Sequence, residues 1–133
     1  MEYHVVDPAD LEPTEEFPCD RRSVADAAGL STVAAAVYEL APGDQLSRSY
    51  HYHQQREELF YVLKGTLAVE TPGEEHEVPA GSVFVAAPDS PLRPHNPESA
   101  EVTVRVFGTG APQHDIGRVY EPETDDRSAG RDE

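Results

Sequence analysis

The chain has 133 residues, with 26 aspartates and glutamates against 10 lysines and arginines, so its formal net charge is −16 with histidine taken as neutral. This length accommodates one domain with a small core. Hydrophobic residues make up 38% of the chain, but they are bunched in short runs rich in valine, phenylalanine, tyrosine and leucine, which excludes a chain disordered throughout. The carboxylate excess disfavours binding to nucleic acid or anionic lipid, because basic side chains hold both.

Acidic charge is the strongest compositional feature of the chain. Lys64 is the only lysine and the other nine basic residues are arginines, so most carboxylates have no basic partner. Such a surface repels itself at ordinary ionic strength, whereas concentrated salt screens the repulsion. We therefore predict a halophilic protein; an acidic protein of ordinary salt tolerance is the alternative.

Cysteine usage and the first residues of the chain indicate a reducing compartment. Cys19 is the only cysteine, and no basic segment followed by an apolar one opens the chain. We expect a cytoplasmic protein without a membrane span, because the longest apolar runs, such as Val33–Val37 and Val83–Ala87, are too short to cross a bilayer. The carboxylate of Asp20 discourages thiolate formation beside it, which predicts that Cys19 is inert.

Residues 1–30 are predicted to form an N-terminal arm that lies over the domain. Prolines and carboxylates are frequent in its first 20 residues, so we expect little regular structure there apart from a strand at Tyr3–Val6. The alanine-rich segment Ser23–Ala28 predicts a helical turn. Gly29 ends this turn, because glycine commonly follows the last turn of a helix.

Residues 31–119 carry short strand patterns separated by turns rich in proline and glycine. About eight or nine strands are predicted at a spacing of roughly 8–12 residues, which is typical of an all-β sandwich or barrel. The clearest are Thr32–Leu40, Ser49–His53, Leu59–Leu63, Thr66–Thr71, Glu75–Val78, Ser82–Ala87, Leu92–His95 and Glu101–Phe107. Residues 120–133 contain almost no apolar side chains after the first, and we predict a disordered acidic tail there.

The segment from Tyr50 to Glu58 carries the candidate chemistry. On a strand, residues i and i+2 point to one face about 7 Å apart, so His51 and His53 can converge on one metal ion. Residues 54–57 can turn the chain and place Glu58 on the next antiparallel strand, where its carboxylate completes a site of two histidines and one carboxylate. Three protein ligands leave positions open for water or a chelating substrate. The alternative is a buried, hydrogen-bonded polar cluster without metal.

Glycines and a proline surround these residues at fixed distances. Their order along the chain is Gly43, His51-x-His53, Glu58, Gly65, Gly73 and Pro79-x-Gly81. This arrangement resembles the two motifs of the cupin family over about Leu40–Phe107. The resemblance implies a small antiparallel β-barrel of the double-stranded jelly-roll type, in many members dimeric, with a divalent metal in its mouth. It assigns His51, His53 and Glu58 as metal ligands and Gly65, Pro79 and Gly81 as turn residues.

One position departs from the family pattern. Eleven residues after Gly81, where many small cupins carry a further histidine ligand, this chain has Leu92, which cannot bind a metal. Asn96 matches the asparagine of the pattern. His95 lies three positions beyond Leu92, so strand alternation points it to the other side unless the neighbouring prolines bend the chain.

The predicted metal site is the only catalytic or binding motif that we recognise in the sequence. We predict a small cupin that binds a divalent ion (iron, manganese, nickel, copper or zinc) and a small organic ligand in the barrel mouth. Whether it is an enzyme stays open: metal-dependent chemistry of the dioxygenase or isomerase type is one hypothesis. The other is a non-catalytic binding protein in which Leu92 has made the metal site vestigial. No nucleic acid or membrane partner is expected, and the resemblance implies a homodimer.

Other side chains near the predicted barrel have simpler roles. Glu57 and His76 are expected to be solvated, since strand alternation turns the first away from the ligands and the second lies in another hairpin. An arginine in the mouth would favour an anionic ligand through paired hydrogen bonds. The candidates for that position are Arg48, Arg56, Arg93 and Arg105. Core or pocket walls are expected from Tyr38, Phe60, Val62, Val69, Phe84, Leu92 and Val106.

The charge balance predicts that salt stabilises this protein. The midpoint of thermal unfolding should rise between about 0.1 M and molar potassium chloride, because the screening length falls from about 10 Å to about 3 Å over that range. Circular dichroism during heating measures the midpoint. Chloride is the appropriate anion, since sulfate stabilises proteins in general. A midpoint that stays constant would contradict halophilic adaptation.

Overall fold

A computed structural model of the protein describes residues 1–122, so residues 123–133 of the predicted tail lie outside the described part. Between residues 1 and 122 there are one 3-10 turn, Pro8–Asp10, one short helix, α1 (Val24–Ala28), and ten strands. The strands are β1 (Asp20–Ser23), β2 (Ala34–Leu40), β3 (His51–Tyr52), β4 (Glu57–Lys64), β5 (Thr66–Thr71), β6 (Glu74–Pro79), β7 (Val83–Ala86), β8 (Arg93–His95), β9 (Val104–Ala111) and β10 (Arg118–Val119). No helix in this range is long and apolar enough to cross a membrane.

The strands form antiparallel sheets. The largest has the order β1-β2-β9-β4-β7, a second has the order β6-β5-β8, and β10 pairs with β3. β1 and β2 follow each other through α1, but the later strands of the large sheet, β2, β4, β7 and β9, are joined by segments that contain strands of the other sheets. The all-β, antiparallel class predicted from the sequence is confirmed.

Alternation along β4 and β9 decides which side chains enter the core. Phe60, Val62 and Val106 are almost completely buried. Leu59 and Tyr61, which alternate with Phe60 and Val62 along β4, are each 43% exposed. The buried cluster is made from both larger sheets, and it includes Leu40, Phe60, Val62, Leu67, Val69, Leu92, Val104 and Val106. Glu58 has the same parity as Phe60 and Val62, so its carboxylate points toward the interior.

The arm differs in part from the sequence prediction. The predicted strand at Tyr3–Val6 is wrong, because these residues have no regular structure and lie largely exposed. The helical turn is confirmed: the Ser23 hydroxyl accepts a hydrogen bond from the backbone of Asp26, and Gly29 ends the helix in the left-handed conformation, with φ 66°. Strand β1 was missed because its sequence, Asp-Arg-Arg-Ser, has no apolar alternation to reveal it.

The C-terminal end of the described chain is also more ordered than predicted. Strand β9 continues to Ala111, and β10 follows in a segment for which no strand was expected. Tyr120, which we assigned to the disordered tail, is buried, and its ring lies 4.8 Å from that of Tyr50. Its backbone N–H donates to the Tyr50 carbonyl at 2.8 Å. The tail boundary at residue 120 is therefore wrong for Tyr120.

Cys19 lies in a setting that suppresses its reactivity. It is buried, and its Sγ lies 4.0 Å from the Leu46 carbonyl. Burial, with the carboxylates of Asp44 and Asp20, raises the pKa of the Cys19 thiol to about 12. The thiolate is therefore scarce near neutral pH, as the inert-thiol prediction requires.

One face of the large sheet is apolar and uncovered in the described chain. Leu59, Tyr61 and Leu63 point outward from β4, and Val83 and Val85 point outward from β7, the strand at the edge of the sheet. Their exposed fractions run from 42% to 64%. We call these five residues the outer apolar face.

Candidate metal centre

The structure brings His51, His53 and Glu58 together at one end of the barrel. His51 lies on β3, His53 follows that strand, and Glu58 is the second residue of β4. One ligand atom from each residue lies within 4.8 Å of the others. Their convergence, which the spacing of the sequence predicted, is thus observed, while their role as metal ligands stays a prediction.

The ring of each histidine is oriented by a contact between its Nδ1 and a backbone carbonyl. His51 Nδ1 lies 3.1 Å from the Ser49 carbonyl, and His53 Nδ1 lies 2.7 Å from the Asp115 carbonyl. A carbonyl oxygen can only accept, so each Nδ1 carries the proton and donates it. In a neutral ring the other nitrogen, Nε2, then keeps its lone pair for a metal.

The three side chains do not satisfy one another by hydrogen bonding. The shortest approach recorded between a histidine and the carboxylate is 3.9 Å, from His53 Nε2 to Glu58 Oε1, which exceeds hydrogen-bond distance. Two ligands that each bind an ion at about 2.1 Å can stand up to about 4.2 Å apart. The separation of His53 Nε2 and Glu58 Oε1 is therefore compatible with one ion held between them.

Burial sets the charge state of the cluster. It raises the pKa of Glu58 to about 7, and the nearby Arg56 guanidinium, 3.7 Å from Glu58 Oε2, opposes this rise. Burial also lowers the pKa values of His51 and His53, and Arg56 lowers them further. The imidazoles are thus kept in the neutral form that binds metals.

Leu92 occupies the position where a fourth ligand was missing. It is 1% exposed and pairs with His51 through two backbone hydrogen bonds, of 3.2 and 2.9 Å. Directly paired residues point to the same face of a sheet, so the leucine side chain lies beside the His51 imidazole. The cluster therefore has an apolar wall on this side.

His95 does not replace the missing ligand. Its Nε2 lies 3.0 Å from Glu75 Oε1, on another hairpin, and the candidate metal cluster found within residues 1–122 does not include it. The prediction from strand alternation, that the His95 side chain points away from the cluster, is confirmed. Asn96 is structural, because its buried amide donates to the carbonyls of Leu40 and Val102 at 3.0 and 2.9 Å.

Residues 112–120, which we call the C-terminal strap, were not predicted to reach the site. Arg56 donates to the carbonyls of Pro112 and Gln113, and the Asp115 carbonyl holds His53. Gly117 lies against both rings: a Cβ there would stand 3.2 Å from His51 Cδ2 and 3.4 Å from His53 Cε1. The Asp-Ile-Gly sequence at 115–117 indicates a turn, but nothing in it reveals contacts with residues some 60 positions earlier.

A cavity of about 270 Å³ adjoins the cluster. Small residues on β9 and on β2 beyond it leave this space: Gly110 and Ala34 share the row of Glu58, and Gly108 and Ala36 share the row of Phe60. A Cβ at Gly108 would lie 2.9 Å from Tyr38 Cε1, so that glycine lets the tyrosine ring lie over it. The polar side chains in the lining include Arg21, Asp26, Tyr38, Arg56, Glu58, Gln113 and His114.

One of the four candidate arginines, Arg56, lies at the site. The others are engaged elsewhere: Arg93 pairs with Glu70, Arg105 lies 3.5 Å from Glu39, and Arg48 lies over the ring of Phe17. Glu57 is exposed and His76 half-buried, away from the ligand cluster. Arg21 and His114 were missed as cavity residues, because strand β1 and the strap had no sequence signal that joined them to the barrel.

Comparison with known proteins agrees with this architecture. Protein SchB of Streptomyces halstedii is 30% identical over 122 residues, which cover 84% of this chain and 86% of that protein. The polyketide cyclase RemF from Streptomyces resistomycificus superposes with a TM-score of 0.74 at 18% identity, covering 90% of this chain and 87% of that one. A sugar phosphate isomerase from a cupin superfamily, from Silicibacter pomeroyi, gives a TM-score of 0.70 at 21% identity, covering 81% and 75%.

The family is shown by the sequence itself. A family model described as a cupin domain matches residues 36–107, more than half of the chain. That range contains the two histidines, the glutamate and the glycine–proline turns on which the sequence resemblance was based, and the double-stranded barrel that they imply is present. The chain belongs to the cupin family.

Proposed function

We propose that this cupin is a divalent-metal-dependent enzyme of the isomerase or cyclase type, acting on a small carbonyl substrate in the cavity beside Glu58. The observation that carries the proposal is that Glu58 belongs both to the ligand cluster and to the cavity wall. A substrate in the cavity would therefore lie next to the open positions of the site. Two structural relatives, a polyketide cyclase and a sugar phosphate isomerase, support reactions of this kind.

His51, His53 and Glu58 would hold the ion, through two imidazole nitrogens and one carboxylate. When bound, a divalent ion there supplies a Lewis acid for a substrate oxygen. Iron, manganese, nickel, copper and zinc all accept this ligand set. The buried surroundings strengthen any charge interaction in the site.

The protein supplies groups for proton transfer and orientation around the cavity. Burial raises the pKa of Tyr38, so its hydroxyl stays protonated and can donate a hydrogen bond to a substrate oxygen. His114 brings an imidazole, the side chain that enzymes use most often to move protons. Arg21 adds a guanidinium that favours a carboxylate or phosphate on the substrate.

A non-catalytic binding protein is the second candidate, and Leu92 is the observation that favours it. Its side chain adds apolar surface where a fourth ligand would bind. In that case the cavity would bind a small molecule, and the cluster would bind a metal ion weakly or not at all. The cytoplasmic location expected from the sequence applies to both candidates.

Metal content tests the site. We expect purified protein, prepared without chelator, to hold close to one equivalent of divalent metal, and a His51→Ala, His53→Ala double variant to lose it, because two of three ligands are gone. Elemental analysis measures the content. The matched control is a His76→Ala, His95→Ala double variant, which removes two histidines outside the cluster. Wild-type protein that stays metal-free after soaking with iron, manganese, nickel or zinc would contradict the site.

Reaction type is tested by proton exchange. Metal-loaded protein should exchange the hydrogen beside the carbonyl of sugar phosphates or of β-dicarbonyl compounds in deuterium oxide, followed by nuclear magnetic resonance. The His51→Ala, His53→Ala variant gives the background rate. Oxygen consumption without proton exchange would favour a dioxygenase instead. Binding of the compound without proton exchange or oxygen consumption would favour the non-catalytic candidate.

Restoring the fourth ligand tests whether the barrel presents a working site. Leu92→His should bind zinc at least tenfold more tightly than wild type, since its side chain lies beside that of His51. Without metal, the variant should lose roughly 1–3 kcal/mol of stability, because a polar ring replaces a buried leucine. Thermal unfolding with and without zinc measures both effects.

Leu40→His is the control for this variant. Leu40 is equally buried, but it lies six residues along β2 from the row of Glu58, or roughly 20 Å away. It should lose stability without regaining any from zinc. If Leu92→His behaves in the same way, the other ligands do not converge on a metal.

The homodimer expected from the sequence remains a prediction, which the outer apolar face supports. Its five side chains are uncharged in a chain of net charge −16, so two copies meet there with the least repulsion. Sedimentation velocity should show a dimer for wild type and a monomer for Val85→Glu. Val102→Glu, at a 53% exposed valine outside this face, should remain dimeric. A monomeric wild type would contradict the prediction.

A further inference from the structure

We propose that Asp115 is a positioning residue of the metal centre, which fixes His53 through its backbone carbonyl and the loop between His53 and Glu58 through its carboxylate. This inference rests on the proposed function, since it concerns how tightly the same site binds metal. Asp115 belongs to the C-terminal strap, lies outside the ligand cluster and does not line the cavity.

The carbonyl of Asp115 acts on the ligand directly. It lies 2.7 Å from His53 Nδ1, a shorter contact than the 3.1 Å between His51 Nδ1 and the Ser49 carbonyl. The bond selects the tautomer of His53 and the rotation of its ring, and so aims Nε2 at the site. Partners of this kind behind a metal-binding histidine commonly change metal affinity by about 10–100-fold.

The carboxylate of Asp115 acts on the loop that joins two ligands. Its Oδ2 accepts hydrogen bonds from the backbone N–H groups of Gln55 and Arg56, at 2.8 and 3.0 Å. These bonds lower the pKa of Asp115, so the carboxylate is charged and makes them strongly. Residues 54–57 are the whole connection between His53 and Glu58, and pinning their middle fixes the separation of the two ligands.

The strap holds Asp115 in place from both sides. Before it, Arg56 donates to the carbonyls of Pro112 and Gln113. After it, Gly117 fits against both imidazoles, β10 pairs with β3, and Tyr120 packs on Tyr50. One residue thus joins the strap to a histidine ligand and to the turn that leads to the carboxylate ligand.

Metal affinity of single variants tests this role, with cobalt(II) as the probe. Asp115→Ala keeps the backbone carbonyl and loses the two loop hydrogen bonds. We expect its cobalt affinity to fall about 10–100-fold, with a changed visible absorption spectrum, because that spectrum reports the geometry of the ligands. Asp115→Asn keeps an oxygen acceptor without the charge. Its cobalt affinity should therefore lie between those of wild type and Asp115→Ala.

Asp44→Ala is the matched control. Asp44 closes the turn after β2, where its Oδ2 accepts a hydrogen bond from the backbone of Ala41 at 2.9 Å. The variant loses the same kind of bond far from the ligands. It should leave the cobalt spectrum and affinity unchanged, whatever it does to the thermal midpoint.

Each result has one meaning. Wild-type affinity and spectrum in Asp115→Ala overturn the positioning role of the Asp115 carboxylate, and with it the inference that Asp115 joins His53 to the loop; an equal loss in Asp44→Ala overturns it too. If Asp115→Ala does not fold, Asp115→Asn decides: weaker binding with an altered spectrum supports the role, and wild-type values overturn it. Wild-type protein that binds no cobalt overturns the proposed function itself, which separates that failure from failure of the inference alone.

Discussion

The candidate site depends on two hydrogen bonds from histidine Nδ1 atoms to backbone carbonyls. One acceptor, Ser49, precedes β3, and the other, Asp115, comes from the far end of the described chain. Without these acceptors each ring could present either nitrogen, and convergence of the ligands would be one arrangement among several. Because the acceptors are backbone atoms, the fold itself supplies the orientation, and the barrel must close before the site is complete.

Burial of the cluster shifts the pKa values of all three side chains. The same desolvation that keeps the two imidazoles neutral also raises the pKa of Glu58, and Arg56 only partly compensates for it. A carboxylate in this position is favoured by a nearby positive charge. A cation bound here would favour the charged form of Glu58, and the two neutral imidazoles could bind it.

The sequence predicted the barrel and the ligand cluster because both depend on short-range patterns. Short apolar runs bounded by turn residues mark β2, β4 and β5, and the spacing of His51, His53 and Glu58 follows from strand geometry and one turn. Strand β1, Arg21, His114 and Asp115 were beyond such patterns, since each reaches the site by pairing or folding back over a long stretch of chain. Tyr120 was misassigned for the same reason: its acidic neighbours indicate a tail, and only its contact with Tyr50 shows that it is packed.

The cavity owes its volume to strands that carry no ligand. The alanines and glycines of β2 and β9 make room opposite Glu58, while the ion would be held by β3, β4 and the turn between them. The cavity walls and the candidate metal ligands thus come from separate parts of the sequence. A change at Ala34 or Ala36 would reshape the cavity without touching His51, His53 or Glu58, so under the proposed function the substrate could change while the metal centre is kept.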